Sequence, residues 1–194
     1  MCALDGLILT PLRNSAHRWA KEAAENLKKT LPYILHGIDT DNGYEFINKQ
    51  LYDWCDANAI EFTRSRSYHK NDNCLAEKKN DYAVRRFMRY ARYDTEQEFL
   101  ALEQVYTYLN LLLNYYYPTQ KIISKTKIGA TIMKTYESCR TPYERLLESP
   151  YISQTTKQLV MKQHEQLSII ELKQNLDKAI ENLISVHKTK RNLA

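Results

Sequence analysis

The spacing of apolar residues in the first part of the chain predicts helices that alternate with strands. Positions 15–31 have the three- and four-residue apolar spacing of an amphipathic helix, and a second helix is predicted near 46–58. The apolar run at 33–38 and the alternating segment at 60–67 predict strands, and residues 7–9 predict a further strand. Strands separated by helices usually pair in parallel, so the pattern favours an α/β fold.

The middle of the chain is predicted to be mainly helical. A helix is expected over about residues 75–92. Thr95 and Glu98 have the spacing of a capping box, in which each side chain bonds the backbone N–H of the other residue. They predict the start of a further helix, which Pro118 ends.

Residues after Pro118 differ in composition. Four lysines alternate with isoleucines around Gly129, which is typical of a basic hairpin or an extended arm. Thr141 and Glu144 form a second capping box, and two more helices are predicted over about 155–166 and from residue 168. The tail is interpreted as a helical hairpin that could pair with a second protomer, although the near-heptad apolar positions of the last helix extend over fewer than the three or four heptads of a coiled coil. These positions are Ile169, Leu172, Leu176, Leu183 and Val186.

Charge and cysteine usage limit the classes of protein that fit. The net charge of +5 permits a polyanionic partner without requiring one. The four cysteines form no C-x-x-C pair, so neither a zinc site nor a disulfide framework is indicated, and reduced thiols in the cytoplasm are expected. No apolar run approaches the roughly 20 residues that span a bilayer, so no membrane partner is expected.

Asp41 begins the run D-N-G-Y-E-F directly after a predicted strand, where α/β folds place their active sites. Glu77 falls in the first turn of the next predicted helix. Two such carboxylates can share a divalent metal, because Mg²⁺ prefers hard oxygen ligands. Each also has a simpler interpretation. D-N-G is a common turn, and a glutamate in a first turn is favoured by the helix dipole.

The D-N-G-x-E-F run and its interval to Glu77 resemble the second and third catalytic acids of the DDE transposase and retroviral-type integrase family. Segments 63–66, 68–72 and 76–80 are similar to bacterial insertion-sequence transposases. The resemblance implies that Asp41 and Glu77 are catalytic and bind Mg²⁺, or Mn²⁺, in a two-metal site. It also implies that the first catalytic Asp of the family is missing.

The fold that the resemblance implies is a ribonuclease H-like α/β core that lacks its first strands, followed by a helix-rich C-terminal extension. Residues 1–117 would form the partial catalytic core, and residues 118–194 the basic arm and the helical extension. Asp5 lies too close to Asp41 to act as the first Asp. Asp39 shares one edge of the site with Asp41 and is a weak substitute.

DNA is the partner that the resemblance implies, both as transposon ends and as target. Basic residues on the helix after Glu77 would follow the phosphate backbone, although such a stripe alone is more often a solvated face. The expected nucleic-acid-binding residues are Asn42, Arg64, Arg66, His69, Lys70, Lys78, Asn80, Arg85 and Arg89. Tyr115, Tyr116 and Tyr117 could stack on bases, but a packed aromatic cluster is the favoured interpretation.

The expected function is transposition by metal-dependent phosphoryl transfer on DNA, comprising strand nicking and strand transfer, impaired by the missing Asp. The alternative is a noncatalytic DNA-binding or oligomerising transposase remnant that interferes with a full-length transposase. Such a remnant would form homo-oligomers, or hetero-oligomers with the full-length protein. A third interpretation is an unstable product of a decayed gene.

Overall fold

The computed structural model describes residues 6–13, 17–40, 49–65, 81–88 and 91–193 of the chain. Helices predominate, and two small sheets of two strands each accompany them. The fold is therefore of the mixed α/β class, as the apolar pattern predicts.

The chain divides into two compact units. The sheet unit comprises Ile8–Thr107 with Leu176–Ala194, and the hairpin unit comprises Met1–Leu7 with Tyr108–Asn175. The domain boundary expected after residue 117 stays a prediction.

The sheet unit begins with the expected order of helix, strand, helix and strand. These elements are α1 (His17–Thr30), β1 (Gly37–Thr40), α2 (Lys49–Ala57) and β2 (Glu61–Arg64). β1 and β2 pair in parallel, and the last residue of β1, Thr40, lies opposite the last residue of β2, Arg64. The predicted parallel pairing is confirmed.

A small apolar core joins α1, α2 and the two strands. Ala24 of α1 is buried with Leu51, Cys55 and Ile60, and Phe62 of β2 packs against this cluster. Burying a large apolar side chain contributes roughly 1.5–3 kcal/mol. Phe62 therefore points inward, towards this core.

β1 begins later than the apolar run predicts. Residues 33–36 lie outside the strand, and Ile34 is 77% exposed. The reason is that the partner strand starts only at Glu61, just after Ala59 reverses the chain with a φ of 53°, so the ladder cannot extend further back. β1 also ends later than predicted, at Thr40, so Asp39 lies within the strand.

No strand forms at residues 7–9. The N–H of Leu7 instead donates to Oδ1 of Asn114 at 2.9 Å, and Nδ2 of Asn114 donates to the Leu7 carbonyl at 2.5 Å. A carboxamide offers the same donor and acceptor as a peptide group. The predicted strand is wrong, and the backbone of Leu7 bonds a side chain in place of a neighbouring strand.

The described part of the next segment is an irregular helix. A π-helical turn, Asp81–Arg85, leads into α3, Arg86–Met88. The helix end predicted near Arg92 is too late, since Arg92 lies outside the helix and pairs with Asp94 at 3.4 Å. A π turn closes i→i+5 hydrogen bonds, so residues of this turn do not keep the angular spacing of an α-helix.

The next helix, α4, spans Glu96–Tyr115. The N–H of Glu98 donates to Oγ1 of Thr95 at 3.2 Å, and the N–H of Thr95 donates to Oε2 of Glu98 at 2.9 Å. The predicted capping box is confirmed. Val105 and Leu109, four positions apart on this helix, are fully buried.

The hairpin unit contains β3 (Ile122–Ile128) and β4 (Thr131–Tyr136), which pair in antiparallel fashion. Gly129 stands at the tip with a φ of 62°. Of the two predicted forms, a basic hairpin and an extended arm, the hairpin is the one that forms. α5 (Pro142–Glu148) follows, and the predicted capping box of Thr141 at its start is confirmed.

Two helices, α6 (Gln154–Glu165) and α7 (Ile169–Leu193), complete the described chain. Leu172, Leu176 and Leu183 of α7 are 6%, 0% and 1% exposed. These three positions of the near-heptad face are buried within this chain, whereas Ile169 is 48% exposed. Pairing with a second protomer stays a prediction. No helix among the described residues is long and apolar enough to cross a membrane.

Candidate functional site

The carboxyl edge of the β1–β2 sheet is the part of the expected site that the structure describes. Thr40 and Arg64 end the two strands side by side. Ser65, which is 8% exposed, closes the edge, because its N–H and its hydroxyl both donate to the Thr40 carbonyl, at 2.9 and 3.3 Å. Asp41 follows Thr40 in the sequence and lies outside the described residues.

Two polar side chains near the end of β1 have different surroundings. The exposed carboxylate of Asp39 accepts a 2.8 Å hydrogen bond from the hydroxyl of Thr63 on β2. Oγ1 of Thr40 is buried, and no group in the described part of the chain hydrogen bonds to it. Successive strand residues point to opposite faces. The carboxylate of Asp39 is therefore engaged by the neighbouring strand on the exposed face.

Arg64 and Arg85 are the expected DNA-binding residues that the structure describes. Both are exposed, Arg64 at the sheet edge and Arg85 at the end of the π-helical turn. Among the described residues, no group of three or more His, Cys, Asp or Glu could hold a metal ion. The other expected site residues lie outside the described ranges: Asp41, Asn42, Arg66, His69, Lys70, Glu77, Lys78, Asn80 and Arg89.

The β3–β4 hairpin forms a second candidate surface. Lys125 lies directly opposite Lys134, and Lys127 lies opposite Ile132. Opposed residues share a face of the ribbon, as do residues two positions apart, so the three lysines lie on one face. Every residue of both strands is exposed.

Arg145 of α5 anchors the base of this hairpin. Its side chain is 7% exposed, forms an ion pair with Glu137, and donates from Nη2 to the Thr119 carbonyl at 2.7 Å. Thr119 and Arg140 exchange two backbone hydrogen bonds, of 2.8 and 3.1 Å, across the base. The hydrogen bond from Arg145 lowers the pKa of the Glu137 carboxyl below its usual value. The hairpin therefore starts from a fixed base.

Glu98 is a buried carboxylate, 0% exposed, whose Oε1 lies 2.6 Å from Nδ1 of His187. Its Oε2 accepts hydrogen bonds from the N–H groups of Asp94 and Thr95 at 3.0 and 2.9 Å, and Nζ of Lys190 lies 3.3 Å away. Burial alone would raise the pKa of this carboxyl. The hydrogen bonds, from His187 above all, outweigh burial and lower the pKa to about 2.

The contacts of Glu98 join the start of α4 to the end of α7 within the sheet unit. The sequence predicts the capping role of Glu98. It does not predict the pairing of Glu98 with His187, because 89 positions separate the two residues. The one indication of this pairing in the sequence is that His187 and Lys190 lie one helical turn apart.

Tyr115 and Tyr116 belong to a packed aromatic cluster in the hairpin unit. The ring of His164 stacks on Tyr143 with centroids 4.5 Å apart and on Tyr115 at 5.6 Å. The hydroxyl of Tyr115 donates to the side chain of Gln163 at 2.9 Å, and burial raises the pKa of that hydroxyl. The favoured prediction, a packed cluster at the helix end, is confirmed for these two tyrosines.

No family model matches the chain. The chain is 34% identical over 135 residues to a protein of Sinorhizobium fredii (strain NBRC 101917 / NGR234) that is named "Uncharacterized protein y4rM". The match covers 70% of this chain and 39% of that protein, so the chain spans well under half the length of this relative.

Proposed function

We propose that this chain is part of a DDE-type transposase or integrase, with a ribonuclease H-like core that carries out metal-dependent phosphoryl transfer on DNA. The observation that supports the proposal is the parallel pairing that places Thr40 beside Arg64 at the carboxyl edge of the sheet. Open α/β sheets bind their ligands beyond this edge. The D-N-G-Y-E-F run begins with the next residue of the chain, Asp41.

In this proposal Asp41 and Glu77 hold Mg²⁺ or Mn²⁺. Both residues offer hard carboxylate oxygens, which are the donors that these cations prefer. A pair of such ions stabilises the attacking and the leaving oxygen of a phosphodiester. The resemblance assigns no residue of this chain to the family's first Asp, so low turnover is expected from the chain alone.

DNA would approach the same edge of the sheet along exposed cations. Arg64 stands at this edge, and Arg85 ends the π-helical turn with an exposed side chain. Phosphate contacts by arginine and lysine give affinity without sequence preference. The remaining contacts are assigned by the resemblance alone: Asn42, Arg66, His69, Lys70, Lys78, Asn80 and Arg89.

Thermal unfolding with and without Mn²⁺ tests the metal assignment independently of turnover. A ligand that binds only the native state raises the melting temperature. We expect Mn²⁺ to raise that temperature in the wild-type chain and to have little effect on Asp41→Asn or Glu77→Gln. The exposed carboxylates of Asp53 and Glu181 provide matched controls, Asp53→Asn and Glu181→Gln, which should respond like the wild type.

Nicking of supercoiled plasmid in Mn²⁺ tests the reaction itself. Weak nicking by the wild-type chain should disappear in both Asp41→Asn and Glu77→Gln and persist in the two control variants. An Mn²⁺ response that is equal in all five proteins, or nicking that survives both substitutions, would reject the metal assignment.

A noncatalytic DNA-binding role is the second candidate, and the exposed lysine face of the β3–β4 hairpin favours it. This role predicts DNA binding that needs no divalent metal, together with no Mn²⁺-dependent nicking. The oligomerising form of this candidate receives less support, because Leu176 and Leu183 are buried within the chain. Light scattering of the purified protein would measure its oligomeric state directly.

A further inference from the structure

The β3–β4 hairpin exposes apolar side chains on a ribbon that no other described element covers. Ile123, Ile128, Ile132 and Met133 are 66%, 59%, 58% and 59% exposed. Exposed apolar area of this kind marks binding surfaces in soluble proteins. A ribbon without cover on either face is also marginally stable by itself in water. The hairpin therefore has the character of a binding element.

The charge of the ribbon identifies the kind of partner. Lys125 and Lys134 are cross-strand neighbours, and like charges directly opposite each other destabilise a strand pair. The sequence contains no Asp or Glu between Thr119 and Tyr136, and within the described residues no carboxylate pairs with Lys125, Lys127 or Lys134. An anion on this face would remove the repulsion.

The base of the ribbon is fixed before any partner binds. Arg145 bonds both Glu137 and Thr119, and the Thr119–Arg140 bridge closes the two chain segments. The tip turns at Gly129, whose positive φ suits a two-residue hairpin loop. A preorganised element loses less conformational entropy on binding than a flexible arm does.

We infer that the β3–β4 hairpin is a ribbon that binds duplex DNA in the major groove, with Lys125, Lys127 and Lys134 directed to the phosphates. The major groove is wide enough for a two-stranded ribbon. The face that carries the three lysines enters the groove, where Ile132, which lies opposite Lys127 on the same face, is an apolar side chain that suits base edges. The identification of DNA as the polyanion rests on the proposed function.

Fluorescence anisotropy with a labelled duplex in EDTA tests this inference. The triple variant Lys125→Gln, Lys127→Gln, Lys134→Gln should bind at least tenfold more weakly than wild type at low salt. Each phosphate contact contributes about 0.9 to the slope of log K against log salt concentration, so the slope should fall by up to about 2.7. The matched control substitutes three exposed lysines of the helices, Lys162→Gln, Lys178→Gln and Lys188→Gln, and should bind like wild type.

Competition with groove-binding compounds and a comparison of duplex with single-stranded DNA complete the test. Methyl green, which occupies the major groove, should displace the wild-type protein, whereas netropsin, which occupies the minor groove, should not. Equal binding by the triple variant and the control would overturn the inference, as would preference for a single strand. If light scattering shows that the triple variant has a different oligomeric mass from wild type, the ribbon binds a second copy of the chain, and the inference is overturned. Because EDTA removes Mn²⁺, failure here leaves the test of Asp41 and Glu77 unaffected.

Discussion

Nδ1 of His187 lies 2.6 Å from Oε1 of Glu98, a carboxylate with no exposed surface that stands 89 positions earlier in the chain. Removing a carboxylate from water is costly unless donors replace the lost hydration. Here an imidazole, an ammonium and two backbone N–H groups provide them. The buried charge thus links the first turn of α4 to the last turns of α7.

Replacing Glu98 by glutamine should lower the free energy of unfolding by about 2–3 kcal/mol. The amide keeps the volume of the side chain but loses charge-assisted hydrogen bonds, which contribute roughly 1.5–3 kcal/mol each. Urea unfolding measures the difference. Glu103→Gln, an exposed substitution in the same helix, is the control and should change stability little. Equal midpoints for the two variants would show that the cluster adds nothing to stability.

Stability should also fall at acid pH because of Glu98. Its pKa is about 2 in the folded chain and 4.5 without the fold, so the unfolded state binds the proton first as pH decreases. The contribution is therefore complete above pH 4.5 and is lost as pH falls from about 4.5 towards 2. The stability difference between wild type and Glu98→Gln, measured by urea unfolding at each pH, should shrink across this window. A constant difference would contradict the assignment.

Arg145→Lys should loosen the base of the hairpin. A lysine cannot bond Glu137 and the Thr119 carbonyl together in the fork geometry of a guanidinium. Amide hydrogen exchange at Thr119 and Arg140 is expected to become about tenfold faster. Arg92→Lys, at an exposed arginine of the sheet unit, should leave those amides unchanged. Similar exchange in both variants would show that the Thr119–Arg140 bridge holds without Arg145.

Gly129→Ala should destabilise the hairpin locally. An added Cβ would meet nothing within 4 Å, so the cost comes from the backbone, since a φ of 62° costs an L-residue about 1–2 kcal/mol. Nuclear magnetic resonance shifts of β3 and β4 should move towards unfolded values. Ala130→Ser changes the neighbouring turn residue, which has no positive φ, and is the control. Identical spectra for the two variants would argue against the strain.

Features that depend on neighbouring residues could be predicted from the sequence. The capping boxes at Thr95 and Thr141 place donor and acceptor three positions apart, so their helices begin where expected. Gly129 between lysine-rich runs predicts the hairpin, and the alternation of helices and strands predicts the parallel pairing of β1 with β2. The strand ends were not predicted: the strands end at Thr40 and Arg64 and not at residues 38 and 67.

Features that depend on distant residues could not be predicted in this way. The apolar run at 7–9 has strand character, yet its first residue bonds one side chain, that of Asn114, which no periodicity reveals. The bond between Glu98 and His187 likewise needs the three-dimensional path of the chain. The metal-binding role of Asp41 and Glu77 stays a prediction from the motif.

The hydrogen bonds between Leu7 and Asn114 have a consequence for synthesis on the ribosome. Leu7 is made 107 residues before its partner. At roughly 5–20 residues per second, it waits on the order of 5–20 seconds for Asn114 to be added. Leu7 therefore makes these hydrogen bonds late, and the carboxylate of Glu98 waits in the same way for His187. During translation, these two contacts form only after β1, α2 and β2 have already emerged.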